Sequence, residues 1–336
     1  MTDRPALRLA TRGSPLALWQ ADRVAGLLVR IGVRAELVVV ETVGDRRTDL
    51  PLDRIGGQGI FVKEVQAAVA RGDADAAVHS AKDLPAAPEL SAPGLVLAAF
   101  PERADGRDLL VGATLDSLPT GATVATGSAR RRVQLANLRP DLTFVGLRGN
   151  LATRLAAAGS PGVAAVVVAK AAVDRLGWEA PPGVEVEVRD PWIMLPQVGQ
   201  GALAVECRDD DAPTRAAVAA IDDPAARPLV EAERAFLAEL GGGCTLPVGA
   251  HARWAGTAPG TAPAATPPDR APAAGPTGAV TLTGMVASGD GVVVVRHALT
   301  GDVPEALGRS VARYLLDDAG GRDLGEWSPS PAGAGW

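Results

Sequence analysis

The segment His79-Ser80-Ala81-Lys82-Asp83-Leu84-Pro85 sets an ammonium group beside a carboxylate directly after a β-rich run. Open α/β sheets place their ligands at that strand end. A carboxylate there can stabilise a cation or accept a proton, but a Lys-Asp neighbour pair can equally be a solvated or structural ion pair. Arg130-Arg131-Arg132 open a helix behind Thr126-Gly127-Ser128, although cations at a helix N-terminus oppose its macrodipole. Guanidinium forks grip carboxylates two bonds at a time, so these residues with Arg12, Arg148, Arg154 and Arg175 could hold a polycarboxylate; a solvated basic face is the alternative. Gly241-Gly242-Gly243-Cys244-Thr245 carries a thiol in a glycine turn with room for a bulky adduct. A buried inert cysteine is its plain alternative. No local signature pairs a cysteine with His79, His251 or His297. No spacing supports glycosidase-type carboxylates or a metal site, and Gly199-Gln200-Gly201 falls short of a dinucleotide fingerprint.

These residues need elements to hold them. Strand-like runs Leu7–Ala10, Ala35–Thr42, Ala76–His79 and Leu95–Phe100 alternate with helical patterns near Pro15–Ile31 and Phe61–Ala70. The α/β rhythm restarts with strands Asp108–Val111, Thr123–Thr126, Leu142–Gly146 and Val163–Ala169 and with helices over Ala129–Leu138 and Leu151–Ala158. Leu9-Ala10-Thr11-Arg12-Gly13-Ser14 and Val124-Ala125-Thr126-Gly127-Ser128 form a weak internal repeat, each a strand whose small residues open a helix. Such helix N-termini can bind anions, and the plain alternative is that Ser14 and Ser128 only cap them. Two lobes facing each other would form an anion-binding cleft.

The run Gly199–Glu206 reads as a glycine turn feeding a strand that could return to the first lobe. A smaller α+β unit follows: a long helix to Leu240, strands Val248–Trp254, Ala279–Val286 and Val292–Leu299, and a helix Pro304–Asp318. The expected division is lobe one over 1–100 and 197–220, lobe two over 104–193, and a third unit over 224–326. Thr257–Thr277, almost wholly Ala, Pro, Gly and Thr, reads as a flexible insertion, and Trp327–Trp336 as a loose tail.

Composition narrows the partners. The 336 residues carry 33 Lys+Arg against 39 Asp+Glu, and lysine occurs only at Lys63, Lys82 and Lys170. An acidic total disfavours nucleic acid, and arginine clusters within it suit small anionic ligands. The first residues lack a signal-peptide layout and no apolar run reaches bilayer length, so the chain is expected in the cytoplasm, without a membrane partner. Cys207 and Cys244 are too few for a disulfide framework.

Six blocks in order resemble the hydroxymethylbilane synthase (porphobilinogen deaminase) family along nearly the whole chain. They are Leu7–Ala17, Gly56-Gly57-Gln58-Gly59-Ile60-Phe61, His79–Pro85, Leu147-Arg148-Gly149-Asn150, Val198–Ala202 and Gly242-Gly243-Cys244. The resemblance implies two periplasmic-binding-protein-like lobes around a cleft, plus a small C-terminal domain. It also implies a transferase that adds four porphobilinogen units to a dipyrromethane cofactor, held by thioether to Cys244, and releases hydroxymethylbilane for heme and other tetrapyrroles. By the same resemblance Asp83 is the catalytic carboxylate with Lys82 beside it. Arg130, Arg131, Arg154, Ser128, Thr126 and Ser80 fall at cofactor-binding positions. Arg12, Ser14, Arg148, Arg175 and Gln20 fall at substrate-binding ones. A monomer is implied. Two departures stand out: Gln58 replaces a lysine common in the family, with Arg54 as the candidate substitute, and Ala81 replaces a larger apolar residue.

Overall fold

A computed structural model describes residues 5–42, 62–87, 90–241, 246–257 and 278–324. The first lobe opens with β1 (Leu7–Arg12), α1 (Pro15–Arg30), β2 (Ala35–Val40), α2 (Lys63–Ala70), β3 (Ala76–Ser80) and β4 (Leu95–Ala99). The second holds β5 (Asp108–Gly112), β6 (Thr123–Ala125), α3 (Ala129–Leu138), β7 (Thr143–Val145), α4 (Leu151–Ala156), β8 (Ala165–Ala169), α5 (Lys170–Arg175) and β9 (Glu185–Val188). β10 (Leu203–Arg208) and α6 (Ala212–Ala219) follow. α7 (Arg227–Glu239), β11 (Val248–Trp254), β12 (Val280–Ala287), β13 (Val294–Gly301) and α8 (Pro304–Arg313) make the third unit.

The two large sheets share one plan, ordered β2-β1-β3-β10-β4 and β7-β6-β8-β5-β9. In each, three parallel strands meet one antiparallel strand that also pairs with the far edge. The weak sequence repeat therefore reflects a repeated topology. β8 is buried along its whole length, as a central strand covered on both faces requires. On α1, Ser14 caps the N-terminus, proline occupies the first turn, and Ala21, Val24 and Leu28 share the buried face.

The antiparallel strand β5 opens the second sheet directly after β4, and the antiparallel strand β10 follows β9 but returns to the first. The chain therefore crosses between sheets twice, over residues 100–107 and 189–202. The crossings pair with each other. Ala104 N–H donates to the Gly201 carbonyl at 3.0 Å and Leu203 N–H to the Glu102 carbonyl at 3.1 Å. Gly201 has φ +87°, and a Cβ there would lie 2.4 Å from the Ala104 oxygen. Only glycine permits this approach.

In the third unit β11, β12 and β13 form an antiparallel sheet whose core includes Phe236, Leu282, Val311 and Leu315. α7 ties it to both crossings through Glu233, which is fully buried. One oxygen of Glu233 accepts from Arg103 Nη2 at 2.7 Å and Ala252 N–H at 2.8 Å; the other accepts from Gly199 N–H at 2.8 Å.

Three elements go beyond the sequence expectations. α5 follows β8 with no side-chain cap, so nothing local marks its start. β9 is a four-residue edge strand with mostly exposed side chains. α6 does carry a readable signal, since Asp211 caps it by accepting from Thr214 N–H at 3.1 Å and proline lies in its first turn. The last helix ends at Arg313 and passes into a π-helical turn over Tyr314–Asp318. The expected insertion beyond Thr257 and the expected tail lie outside the described residues. Among the described residues no helix is long and apolar enough to cross a membrane.

Glu233→Ala strands the buried Arg103 guanidinium and two backbone N–H groups. Breaking a buried pair this way costs about 3–5 kcal/mol. Denaturant unfolding should show a loss of that size, and a loss below about 1 kcal/mol would contradict the junction's role.

Candidate active site

Lobe one supplies two strand ends. β1 ends at Arg12, and the following Ser14 accepts from Ala17 N–H at 3.3 Å. β3 ends at Ser80, and one 3-10 turn, Ala81–Asp83, carries Lys82 and Asp83 outward. Arg12, Ser14, Gln20, His79, Ser80 and Asp83 line a common pocket. Gln20 Nε2 donates to Ser80 Oγ at 2.8 Å, which fixes both side chains in its wall. His79 Nε2 lies 3.4 Å from Glu206 Oε2, which accepts from Gln66 Nε2 at 2.8 Å.

Lobe two supplies the cations. Ser128 caps α3 by accepting from Arg131 N–H at 3.4 Å, and Thr126 Oγ1 accepts from Ser128 N–H at 3.2 Å. Of the three helix-opening arginines Arg132 is exposed, as a solvated face predicts, but Arg130 and Arg131 are buried and converge on Asp108, the fully buried first residue of β5. Arg130 Nη1 pairs with Asp108 Oδ2 at 2.8 Å, and Arg131 Nη2 with Oδ1 at 2.7 Å. Arg131 Nη1 also donates to the Val167 carbonyl at 2.9 Å. Burial works against the Asp108 charge, yet the two guanidiniums hold its carboxyl well below the ordinary range.

The Arg148-Gly149-Asn150 turn depends on Gly149, whose φ is +98° and whose Cβ would lie 2.9 Å from the Thr153 side chain. Asn150 Oδ1 accepts from Thr153 N–H at 3.0 Å, starting α4 and so setting Arg154, whose Nε donates to the Gly149 carbonyl at 2.8 Å. Burial lowers the Arg154 pKa, Arg131 and Arg148 add to that, and Asp83 of the other lobe opposes it. Burial likewise pushes Lys82 down to about 8 against the pull of Asp83, with Arg131 and Arg154 lowering it further. Lys82, Asp83, Arg131, Arg148 and Arg154 therefore share one electrostatic neighbourhood across the two lobes. Arg175 lies in the seam between them. Its Nη2 donates to the Gly201 carbonyl at 2.7 Å, its guanidinium stands 5.4 Å from the Trp19 ring, and burial lowers its pKa to about 10.

Among the arginines of this site, buried nitrogens without a hydrogen-bond partner are Nε and Nη2 of Arg130, Nη1 of Arg148 and Nε of Arg175; Arg103, Arg189, Arg234 and Arg253 outside it have one each. Buried donors are normally satisfied. A ligand bearing several carboxylates fits this donor set, and so does a cofactor of that chemistry. Cys244, Gln58 and Arg54 lie outside the described residues. Cys207 is buried, and burial pushes its thiol up to about 11, which suppresses the thiolate.

Residue-by-residue reading passed over Asp108, Gln200, Glu206 and Glu233 as site residues. Asp108 had one sequence signal, a charge heading an otherwise apolar strand. Gln200 is completely buried; its Nε2 donates to Asp108 Oδ1 and to the Gly106 carbonyl, both at 2.8 Å, and its Oε1 stands 3.5 Å from Lys82 Nζ.

Lys82 has a folded pKa of about 8 against an ordinary 10.5. The unfolded chain therefore binds the extra proton between those values, so this group weakens the fold below pH 8 and the penalty lifts as pH rises toward 10.5. Acetylation of Lys82, followed by peptide mass against pH, should be half-maximal near pH 8. A midpoint above pH 10 would contradict the burial of its charge.

Two family models match the chain: porphobilinogen deaminase, dipyromethane cofactor binding domain, over residues 7–216, and porphobilinogen deaminase, C-terminal domain, over residues 228–317. A porphobilinogen deaminase of Syntrophus aciditrophicus is 42% identical over 326 residues, 95% of this chain and 97% of that one. One from Acidothermus cellulolyticus is 44% identical over 324 residues, covering 92% and 88%. A solved structure of a methionine binding protein aligns at TM-score 0.41 and 15% identity over 64% of this chain and 89% of that one.

Proposed function

The chain belongs to the porphobilinogen deaminase family, and from that premise we propose which of its side chains anchor the cofactor, grip the substrate and promote the reaction. The family's reaction deaminates four porphobilinogen molecules, joins them head to tail on a dipyrromethane primer and releases hydroxymethylbilane. This chain is such a transferase, and dipyrromethane is its cofactor. When bound, that group supplies the electron-rich pyrrole carbon at which growth begins.

Asp83 is the catalytic carboxylate, with Lys82 beside it. As the aminomethyl C–N bond of porphobilinogen breaks, its electron pair leaves on nitrogen and positive charge spreads over the pyrrole ring and its N–H. A fixed anion on the 3-10 turn offsets that charge. Lys82, protonated below about pH 8 in the ligand-free chain, holds a carboxylate of the bound chain, which in turn favours its charged form.

Arg130, Arg131 and Arg154, with Ser128, Thr126 and Ser80, hold the acetate and propionate groups of the dipyrromethane, whose thioether forms at Cys244. Arg12, Ser14, Arg148 and Gln20 receive substrate carboxylates from the facing lobe and turn, and Arg175 completes this set at the seam. The unpartnered buried nitrogens of Arg130, Arg148 and Arg175 support this assignment, because a ligand's carboxylates would accept from them. The division into lobe one (1–100 and 197–220), lobe two (104–193) and a cofactor-carrying unit (224–326) is supported by the three separate sheets. The chain acts as a monomer in this reading. A cysteine that must stay a thiol until alkylated suits the reducing cytoplasm.

Asp83→Asn, in protein verified by peptide mass to carry its adduct on Cys244, removes the charge with little change of shape. Single-turnover ammonia release should fall by roughly 10²-fold or more, with the unfolding temperature unchanged. Near-normal release from the loaded variant would refute the role of Asp83.

A further inference from the structure

Asp108 touches neither pocket wall nor open cleft, yet more of the site converges on it than on any of the residues expected from sequence. It is fully buried at the head of β5 and takes Arg130 Nη1 on one oxygen at 2.8 Å. The other oxygen takes Arg131 Nη2 at 2.7 Å, Arg131 Nε at 3.2 Å and Gln200 Nε2 at 2.8 Å. Each guanidinium is also pinned by a carbonyl, Leu195 for Arg130 and Val167 for Arg131. Two planar forks held on one carboxylate have few remaining orientations, so the direction of the Arg130 nitrogens left without partners is set by Asp108.

Gln200 extends the arrangement to the other lobe. Its Nε2 is fixed by Asp108 and the Gly106 carbonyl, which leaves Oε1 facing Lys82 Nζ at 3.5 Å. Gln197 Nε2 donates to the Lys82 carbonyl at 3.1 Å, and a Cβ at Gly199 would press on the Ala81–Lys82 peptide at 3.1–3.2 Å. The second crossing is thus moulded to the catalytic turn and bonded to the arginine counter-ion together.

We propose that Asp108 is the positioning residue of the carboxylate clamp, aiming Arg130 and Arg131 at the cofactor's carboxylates and, through Gln200, keeping that clamp in register with the Lys82-Asp83 turn. This rests on the reading of Arg130 and Arg131 as cofactor ligands. In Asp108→Asn the shape persists, but one oxygen becomes an N–H donor facing guanidinium and the counter-charge is gone. The two forks lose their aim before the fold loses its core.

The test compares full-length parent, Asp108→Asn, Arg131→Lys and Gln200→Leu, purified from cells that make porphobilinogen. Intact mass gives the fraction of chains bearing dipyrromethane. Unfolding temperatures are read against cofactor-free parent from cells that make no porphobilinogen. Asp108→Asn should load at least tenfold fewer of its folded chains and, having lost a buried counter-charge, should also unfold below the cofactor-free parent; a purely structural residue would lower that temperature while its folded chains load as the parent's do. Gln200→Leu should load normally, since the arginines stay on Asp108, but show kcat reduced about tenfold with KM little changed. Parent-like loading of Asp108→Asn beside an unloaded Arg131→Lys overturns the positioning role alone, and parent-like loading of Arg131→Lys overturns the clamp reading beneath it. If Asp108→Asn does not fold, Gln200→Leu decides, and a parent-like kcat in it overturns the proposal.

Discussion

Burying guanidinium groups without matching carboxylates is costly, and this site does so repeatedly. An unpaired charge moved out of water costs several kcal/mol even after relaxation. Arg130 and Arg131 share the single carboxylate of Asp108, while buried nitrogens of Arg130, Arg148 and Arg175 have no partner. The excess is local, since the chain as a whole carries net charge −6. Such a cluster is stable in this form only because rigid elements hold it: α3 by its Ser128 cap, α4 by the Gly149-Asn150 turn, and β5 by two strand partners. The stored cost becomes binding energy when a ligand brings its own carboxylates.

The exchange of strands between sheets makes that arrangement possible. Because β10 returns to the first sheet after the whole second sheet, β5 to β9, has been formed, the chain crosses twice and the two crossings run side by side. Asp108 lies at the end of one and Gln200 within the other, so a contact between them ties the lobe bearing the arginines to the lobe bearing Asp83. Glu233 then fastens both crossings to the third unit through Arg103 and Gly199. Growth of a chain on a fixed anchor needs one carboxylate to stay in place through every addition, and this shared base supplies a fixed frame.

Much of this was legible in the sequence. Alternating strand and helix patterns located most elements within a few residues, because period-2 and period-3.6 burial and serine caps are local signals. The Thr126-Gly127-Ser128 turn was legible for the same reason, and the Arg148-Gly149-Asn150 segment through the family resemblance. Asp108, Gln200 and Glu233 were not, since their roles come from partners 19 to 130 residues away, and nothing in their neighbourhoods marks those contacts. Arg130 and Arg131 stood out for breaking the helix-dipole rule; the reason, a buried counter-ion from a different strand, was visible only in three dimensions.

The direct test of an unbalanced cationic cleft is the unfolding temperature of cofactor-free and cofactor-loaded chain, measured side by side over a range of salt. Carboxylates of the bound group should relieve the buried charge, so the loaded chain should unfold at least about 5 °C higher at low salt, several kcal/mol for a protein of this size. Added salt should raise the cofactor-free form more, narrowing the gap as mobile anions screen the exposed part of the cluster. Equal unfolding temperatures for the two forms at low salt would contradict the account.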